Sequence, residues 1–426
     1  MFMINIYNEL YLNKNLMKGY PDSEVFSSIY STSVNEYTNS GTVKYNSLIR
    51  GTSLRIFNPK NHTGKMLLQN GAVSSGFRSN DTQTIEVPFA YLPKIKITSS
   101  DTEFPDLFKE NHEDLFLKLS RIALEHGIRL KKLSSNQFVS LYKLANSYGV
   151  EGHGYKLLNC ANISLTDKND SFKEYSKIFI NSTFYDTVIN MFSEISTEIN
   201  DTEININVDE LLISCHAVSE VIYLLLMFLN EQSPLAGNCF ISQNKDKIDE
   251  IFNLSPLINI VEHSNENKIS GGNIDGEGSV TKPVYIVKNG KLKQLISCYS
   301  HNADINNTAS SYRMEYRSLP QCKPINIGMS NGERTVREII NEKETIAVIS
   351  TFQGMYESIN PVTLEFSSVA RLKIYKYGRY IGNKVITLKT DLLKLLSSIT
   401  EIAKDTEYIG DGSILVPAMV CDLKRI

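Results

Sequence analysis

The sequence predicts an α+β protein of two domains. Residues 1–205 are expected to form an N-terminal α/β sandwich-type domain, and 206–426 a larger, mainly antiparallel β domain with flanking helices. Three observations carry this. Stretches of β-forming residues and stretches with helical periodicity are segregated along the chain instead of alternating regularly. Turn signals, Asn39-Ser40-Gly41, Asn289-Gly290 and Tyr377-Gly378, stand between runs of β-formers, the pattern of hairpins. A chain of 426 residues, 42% hydrophobic and 21% charged, is globular and exceeds one ordinary core.

The elements follow in order. Residues 25–100 alternate apolar and polar side chains as strands do, with Gly51 as a further turn signal. Over Leu115–Leu130, Leu115, Phe116, Leu119, Ile122 and Ala123 recur at helical spacing, and Gly127 suits a helix end. Residues 137–182 return to strands. Tyr185–Ile199 and His216–Leu229 read as helices, separated by the polar stretch Asn200–Asn207, which places the main boundary near 205. Beyond it, Val284–Ser300 reads as a hairpin around Asn289-Gly290, Thr345–Gly354 as a strand, and Val369–Ile386 as a strand pair turning at Tyr377-Gly378. Residues 391–404 put Leu392, Leu395, Leu396, Ile399 and Ile402 on one helical stripe, and Ser413–Cys421 closes the chain as a strand.

Composition narrows the function classes. A net charge of −3 gives no global basic field for nucleic acid, leaving only a local patch, and no nucleic-acid partner is expected. The N-terminus lacks a basic leader, and Asn5, Asn8 and Glu9 interrupt its apolar residues, so no signal peptide is expected. The most apolar segment, Val221–Leu229, is far short of the roughly 20 residues a membrane helix needs. Cys160, Cys215, Cys239, Cys298, Cys322 and Cys421 form no CxxC pair and read as reduced, mostly buried thiols of a cytoplasmic protein.

Individual motifs carry little chemistry. His112-Glu113 begins like a zinc-protease motif, but Phe116 and Leu117 stand where the second imidazole would have to be, so both residues read as the solvated start of a helix. His126 and His153 read as turn histidines. The glycine-rich stretch 271–279 precedes a strand-like run, not the helix start that a phosphate loop requires. Its Asp275 and Glu277 read as solvated acids. Cys215 and His216 are adjacent, hence about 100° apart on a helix, and cannot serve each other as nucleophile and base. His216 reads as a cap-region residue.

The order of several fragments is more informative than any one of them. "LANSYGVEG" (144–152), "SPLAGN" (233–238), "DGEGSVTKPVYIVKNGKLKQLI" (275–296), "GMYESINPVTLEFS" (354–367) and the closing helix and strand together resemble the TldD/PmbA family, also called the modulator of DNA gyrase family. That resemblance implies a cytoplasmic protein of peptide processing. In the catalytic branch an HExxxH motif lies on the apolar helix that opens the C-terminal domain, and a metal-ligating cysteine follows a later strand. Aligned with that pattern, Tyr223 and Phe228 fall at the histidine positions, Leu224 at the glutamate and Gln353 near the cysteine, so no Zn²⁺ ligation and no cofactor are expected. "NPVT" (360–363) is similar to the metal-free PmbA/TldE branch, with Leu364 where that branch has glycine.

The resemblance therefore implies a non-catalytic subunit, a pseudoenzyme, that pairs with a TldD-type catalytic subunit, or with itself as a homodimer, and helps bind unfolded peptides. Thr351, Phe352, Gln353, Gly354, Asn360 and Pro361, with the hairpin at Asn289-Gly290, are the candidate peptide-binding residues, acting through strand edges. Two alternatives stay open: a stand-alone peptidase using Cys215, or His301 with Asp304, and a scaffold that has lost protease association.

Overall fold

The computed structural model describes residues 12–58, 63–70, 83–88, 115–166, 172–179, 184–196, 203–230, 240–299 and 307–426. They fall into two compact units. The first comprises Met1–Ile199, Lys268–Lys282 and Ser297–Cys322; the second comprises Asn200–Asn267, Pro283–Ile296 and Lys323–Ile426. Two stretches from beyond residue 205 thus belong to the first unit. The mixed, largely antiparallel sheets flanked by helices make the fold α+β, as its segregated periodicities predict.

The first unit is built on long strands. β1 (Ser23–Thr38) and β2 (Gly41–Asn58) form a hairpin turning at Asn39-Ser40, and β3 (Thr63–Asn70) and β4 (Gln83–Pro88) extend the sheet from β2. On the other side of β1 lie β5 (Arg129–Asn146) and β6 (Glu151–Thr166), and β6 pairs in turn with β7 (Phe172–Phe179) and with β10 (Ser270–Gly272). A small ladder, β13 (Ser311–Tyr312) with β14 (Gln321–Cys322), completes the unit's strands. Helices α1 (Leu115–Glu125) and α2 (Phe184–Ser196) bury Phe116, Leu119, Ala123, Val188 and Phe192 with Leu133, Ala161 and Ile163 of the sheet. Gly127, in the left-handed region at φ 71, turns the chain out of α1, so the helix ends sooner than Leu130.

Two expectations about polar residues of this unit are corrected. His153 is not in a turn; it lies within β6 and is buried. Asp275 and Glu277 are not solvated but fully buried. Asp275 accepts backbone N–H groups of Glu277 (2.9 Å), Ser279 (2.8 Å) and Ser311 (3.1 Å), and so organises its own turn. In the same unit buried Arg55 donates twice to buried Glu24 (2.9 and 2.7 Å), and buried Arg313 donates to it once (2.6 Å). Burial raises the Glu24 carboxyl, but the Arg313 and Arg55 guanidiniums outweigh it and hold the group below its ordinary range.

The second unit is a sheet with the order β12-β11-β9-β15-β20-β8-β16-β17-β18, and β19 pairs β20 off this path. The ranges are β8 (Glu210–Ile213), β9 (Ile260–Glu262), β11 (Val284–Lys288), β12 (Lys291–Leu292), β15 (Ile327–Met329), β16 (Ile346–Ile349), β17 (Glu365–Lys376), β18 (Arg379–Asp391), β19 (Ile399–Ile409) and β20 (Ile414–Asp422). Both predicted two-residue turns form: Asn289 and Gly290 have φ 50 and 72, and Tyr377 and Gly378 have φ 46 and 77. Gly290 is required there, since a Cβ would sit 2.4 Å from the Leu254 carbonyl oxygen. The second arm of the first hairpin is shorter than expected, ending at Leu292.

The predicted 391–404 helix is corrected too. Only α6 (Leu392–Ser397) is helical, capped by the Asp391 side chain accepting from Lys394 N–H (2.7 Å), and Ile399 onward is strand. The apolar spacing misled because β19 carries register shifts between Ile399 and Glu401 and between Ile402 and Thr406. These shifts let Ile399, Ile402 and Ala403 all be buried, reproducing in a strand the three- and four-residue steps of a helix.

Cys215, Cys298, Cys322 and Cys421 are buried free thiols and Cys160 is half-buried; Cys239 lies outside the described residues. Among the described residues no helix is long and apolar enough to cross a membrane.

Candidate functional site

The site lies wholly in the second unit, around helix α3 (Cys215–Phe228). Ser214 starts this helix, its hydroxyl accepting Ala217 N–H (3.3 Å). The same residue is tied to the end of β16, donating its N–H to the Ile349 carbonyl (3.0 Å) and its hydroxyl to that of Ser350 (3.2 Å). Most of α3 is buried. One stripe, His216, Ser219, Glu220, Tyr223, Met227 and then Asn230, recurs at helical spacing and lines a cleft of about 550 Å³. The opposite walls are Lys323, Pro324, Tyr356 and the β19–β20 turn from Ile409 to Ile414.

Glu220 is the structural centre of this arrangement. One carboxylate oxygen accepts the Thr351 hydroxyl (3.0 Å) and the other accepts Phe352 N–H (3.0 Å), which joins the middle of α3 to the strand end after β16. His216, one turn earlier, places Nε2 3.7 Å from the same carboxylate. Sequence reasoning missed Glu220; the signal for it is that it is the one acid in the apolar run from Cys215 to Phe228.

The loop that follows is built by its backbone. Gln353 exchanges two hydrogen bonds with Val369 (3.1 and 3.0 Å), so its main-chain groups are already engaged. Gly354 sits at φ 77 and leads into the single turn α5 (Met355–Ser358), which carries Tyr356 to the cleft. Asn360 Oδ1 accepts N–H groups of Val362 (2.9 Å) and Thr363 (3.3 Å), and its backbone carbonyl accepts Leu364 N–H (2.8 Å). The Pro361 carbonyl accepts Phe240 N–H (2.7 Å). The Asn-Pro-Val-Thr stretch is thus a turn scaffold in its own right. Leu364 keeps a glycine-like backbone, φ 61, with its side chain fully buried. At the other hairpin, Gly290 and Asn289 bond to Leu254, Ile258 and the Asn259 side chain, so that turn is sealed by its own chain.

A family model for the PmbA/TldA metallopeptidase C-terminal domain matches residues 207–425, just over half of the chain and all of its second half but the last residue. The chain belongs to the PmbA/TldD family. Its fold is that of TldE from Thermococcus kodakarensis, with a TM-score of 0.72 at 14% identity over 99% of each chain. Proteins described as modulators of DNA gyrase share it as well. The one from Thermotoga maritima has a TM-score of 0.63 at 14% identity, over 94% of this chain and 95% of the other. The one from Bacteroides thetaiotaomicron has 0.69 at 13% identity, over 96% and 95%. No curated protein sequence matches.

A metallopeptidase family raises the question of a metal, and the donor set does not fit one. Tyr223 lines the cleft, whereas Leu224 and Phe228 are buried on the core side of α3, and Gln353 offers an amide. Among the described residues no three His, Cys, Asp or Glu side chains are grouped as metal ligands. Cys215 points away from the cleft, with its thiol 3.7 Å from the Asp405 carbonyl, so it forms no couple with His216. His301, Asp304, His112 and Glu113 lie outside the described residues.

What the cleft offers is contact and hydrogen bonding. Partial burial, with Glu220 and Tyr223 nearby, pushes the Tyr356 hydroxyl up to about 12, which keeps it a proton donor at neutral pH. Lys323 and Asp411 stand 3.9 Å apart at one end, and Met227, Pro324, Ile409 and Ile414 give the floor apolar surface.

Proposed function

We propose that this chain is the non-catalytic, PmbA/TldE-type subunit of a two-subunit peptidase of the family, working in the cytoplasm beside a TldD-type catalytic subunit and helping to hold unfolded peptides. One observation carries the reading: where the catalytic branch needs imidazoles, a carboxylate base and a thiolate, α3 and the β16 strand end supply Tyr223, Leu224, Phe228 and Gln353. Zinc hydrolysis needs three ligands and a position open for water, and these side chains provide neither.

The peptide role rests on the cleft. Tyr223, Tyr356 and Met227 give it ring and thioether surface for a peptide side chain, and the tyrosine hydroxyls give it donors for peptide carbonyls. Thr351 and Phe352 hold its wall through Glu220, while Gln353, Gly354, Asn360 and Pro361 shape the loop that delivers Tyr356. Partner contact is assigned to residues after 205, with a homodimer forming when the partner is missing.

The test is metal content and turnover of the purified chain. The expected result is no stoichiometric zinc and no cleavage of unfolded peptides. About one zinc per chain, lost on substituting Tyr223 or Gln353, would overturn the reading, and so would turnover abolished by Cys215→Ala or His301→Ala.

A further inference from the structure

Residues 366–390 hold six cations, Arg371, Lys373, Lys376, Arg379, Lys384 and Lys389, and no acid, in a chain whose net charge is −3. The fold gathers them on the β17–β18 hairpin, with β18 at one end of the sheet order. The register sets Arg371 opposite Val385, Lys373 opposite Asn383 and Ser367 opposite Lys389. Alternation then sorts the faces. Val369, Arg371, Val385, Thr387 and Lys389 are exposed, while Ala370, Leu372, Ile374 and Leu388 are buried beneath.

Towards the turn, aromatic rings interleave with the charges. Tyr375 and Tyr380 meet edge to face at 5.7 Å, and Tyr377 at the tip is 61% exposed between exposed Lys376 and Arg379. The tip is fixed in place, since Tyr377 N–H donates to the carbonyls of Lys343 and Glu344 (3.2 and 3.3 Å). Among the described residues no carboxylate pairs with Lys376, Arg379 or Lys389. Lys384 has a different task, donating to the Ile206 carbonyl (2.9 Å).

We infer that this outer face and tip form a binding surface for single-stranded nucleic acid. Exposed Lys376, Arg379 and Lys389 supply phosphate contacts on a chain of net negative charge. The tyrosines supply ring faces on which unpaired bases stack, the combination that sequence-tolerant single-strand binders use. An acidic polypeptide would use the cations and leave the rings idle, and a duplex hides its bases from them. This surface is independent of the cleft on α3.

The test is fluorescence anisotropy of a labelled twelve-nucleotide DNA strand with the full chain at low salt. Binding that weakens with added salt is expected. The double variant Lys376→Glu/Arg379→Glu should weaken it by about tenfold or more, and Tyr377→Ala by about fivefold. Lys288→Glu/Lys291→Glu, the same charge change beside the opposite end of the sheet order, should leave affinity within about twofold, since the surface charge there is not part of the site. These side chains are exposed, and an unchanged circular dichroism spectrum verifies each variant's fold. No binding at low salt, or equal losses in the two double variants, would overturn the inference. Polyglutamate competing as well as the strand would assign the surface to acidic polypeptides instead, and a duplex binding as tightly with no effect of Tyr377→Ala would remove the stacking role.

Discussion

Removing the Glu220 carboxylate should loosen the strand end that walls the cleft. Glu220→Ala deletes two acceptors at once, leaving the Thr351 hydroxyl and the N–H of buried Phe352 without partners. A hydrogen bond to a charged group contributes about 1.5–3 kcal/mol, and the Glu220 side chain is 16% exposed, so water recovers part of the loss. A destabilisation of about 2–4 kcal/mol follows. Glu220→Gln keeps one acceptor oxygen and should cost about 1–2 kcal/mol. Because Thr351 shares the network, Thr351→Val combined with Glu220→Ala should cost less than the sum of the two by about 1 kcal/mol. Urea unfolding followed by circular dichroism reads these as shifts of the midpoint at unchanged slope. If Glu220→Ala stays within about 0.5 kcal/mol of the parent, the strap does not hold the loop and the reasoning fails.

Three further outcomes are expected. At Leu364, glycine should be at least as stable as alanine, reversing their usual order, because φ 61 penalises any Cβ by about 1–2 kcal/mol; thermal melts of the two variants compare them directly. Burial, with Glu277 beside it, raises the Asp275 carboxyl to about 8, so the folded unit keeps a proton that the unfolded chain gives up near pH 4. Stability from this group is full below about pH 4 and lost as pH rises towards 8; melts across that range should therefore favour Asp275→Asn progressively over the parent, and a difference that is flat or of opposite slope refutes the assignment. For Glu24, whose folded value is depressed, the contribution is present above about pH 4.3 and lost below it, so Glu24→Gln should flatten the acid limb of the stability profile.

Local turn signals in the sequence mostly mark real turns, but Gly51 does not: it lies inside the continuous strand β2, paired with Ser28 and Asn70. Asn39-Ser40-Gly41, Asn289-Gly290 and Tyr377-Gly378 all mark real hairpins, because turn backbone preference is a property of one or two residues. α1, α2 and α3 follow from their apolar spacing; α1 ends sooner than its pattern, and residues 197–199 of the second predicted helix lie outside the described residues. The 391–404 stretch failed because bulged strands and helices bury the same residues, and periodicity alone cannot separate them. The polar features were hidden by distance along the chain. Glu220 meets partners 131 and 132 residues away, and Glu24 meets Arg313 across 289. Asp275 and Glu277 looked like surface acids because what buries them comes from strands elsewhere in the sequence. In the site, the family pattern brought attention to α3 and the 351–364 loop. It could not tell that Tyr223 faces the cleft while Leu224 and Phe228 face the core.

The measurement that bears most directly on the functional account is co-expression of this chain with an HExxxH-containing relative of the family, followed by size-exclusion chromatography with light scattering and metal analysis of the complex. The account predicts a stable heteromeric complex of one chain each, zinc held by the relative alone, and peptide cleavage that requires that relative's histidines while surviving Cys215→Ala in this chain. A chain that stays strictly monomeric at micromolar concentration and joins no such relative, or a complex whose zinc follows this chain, would contradict it.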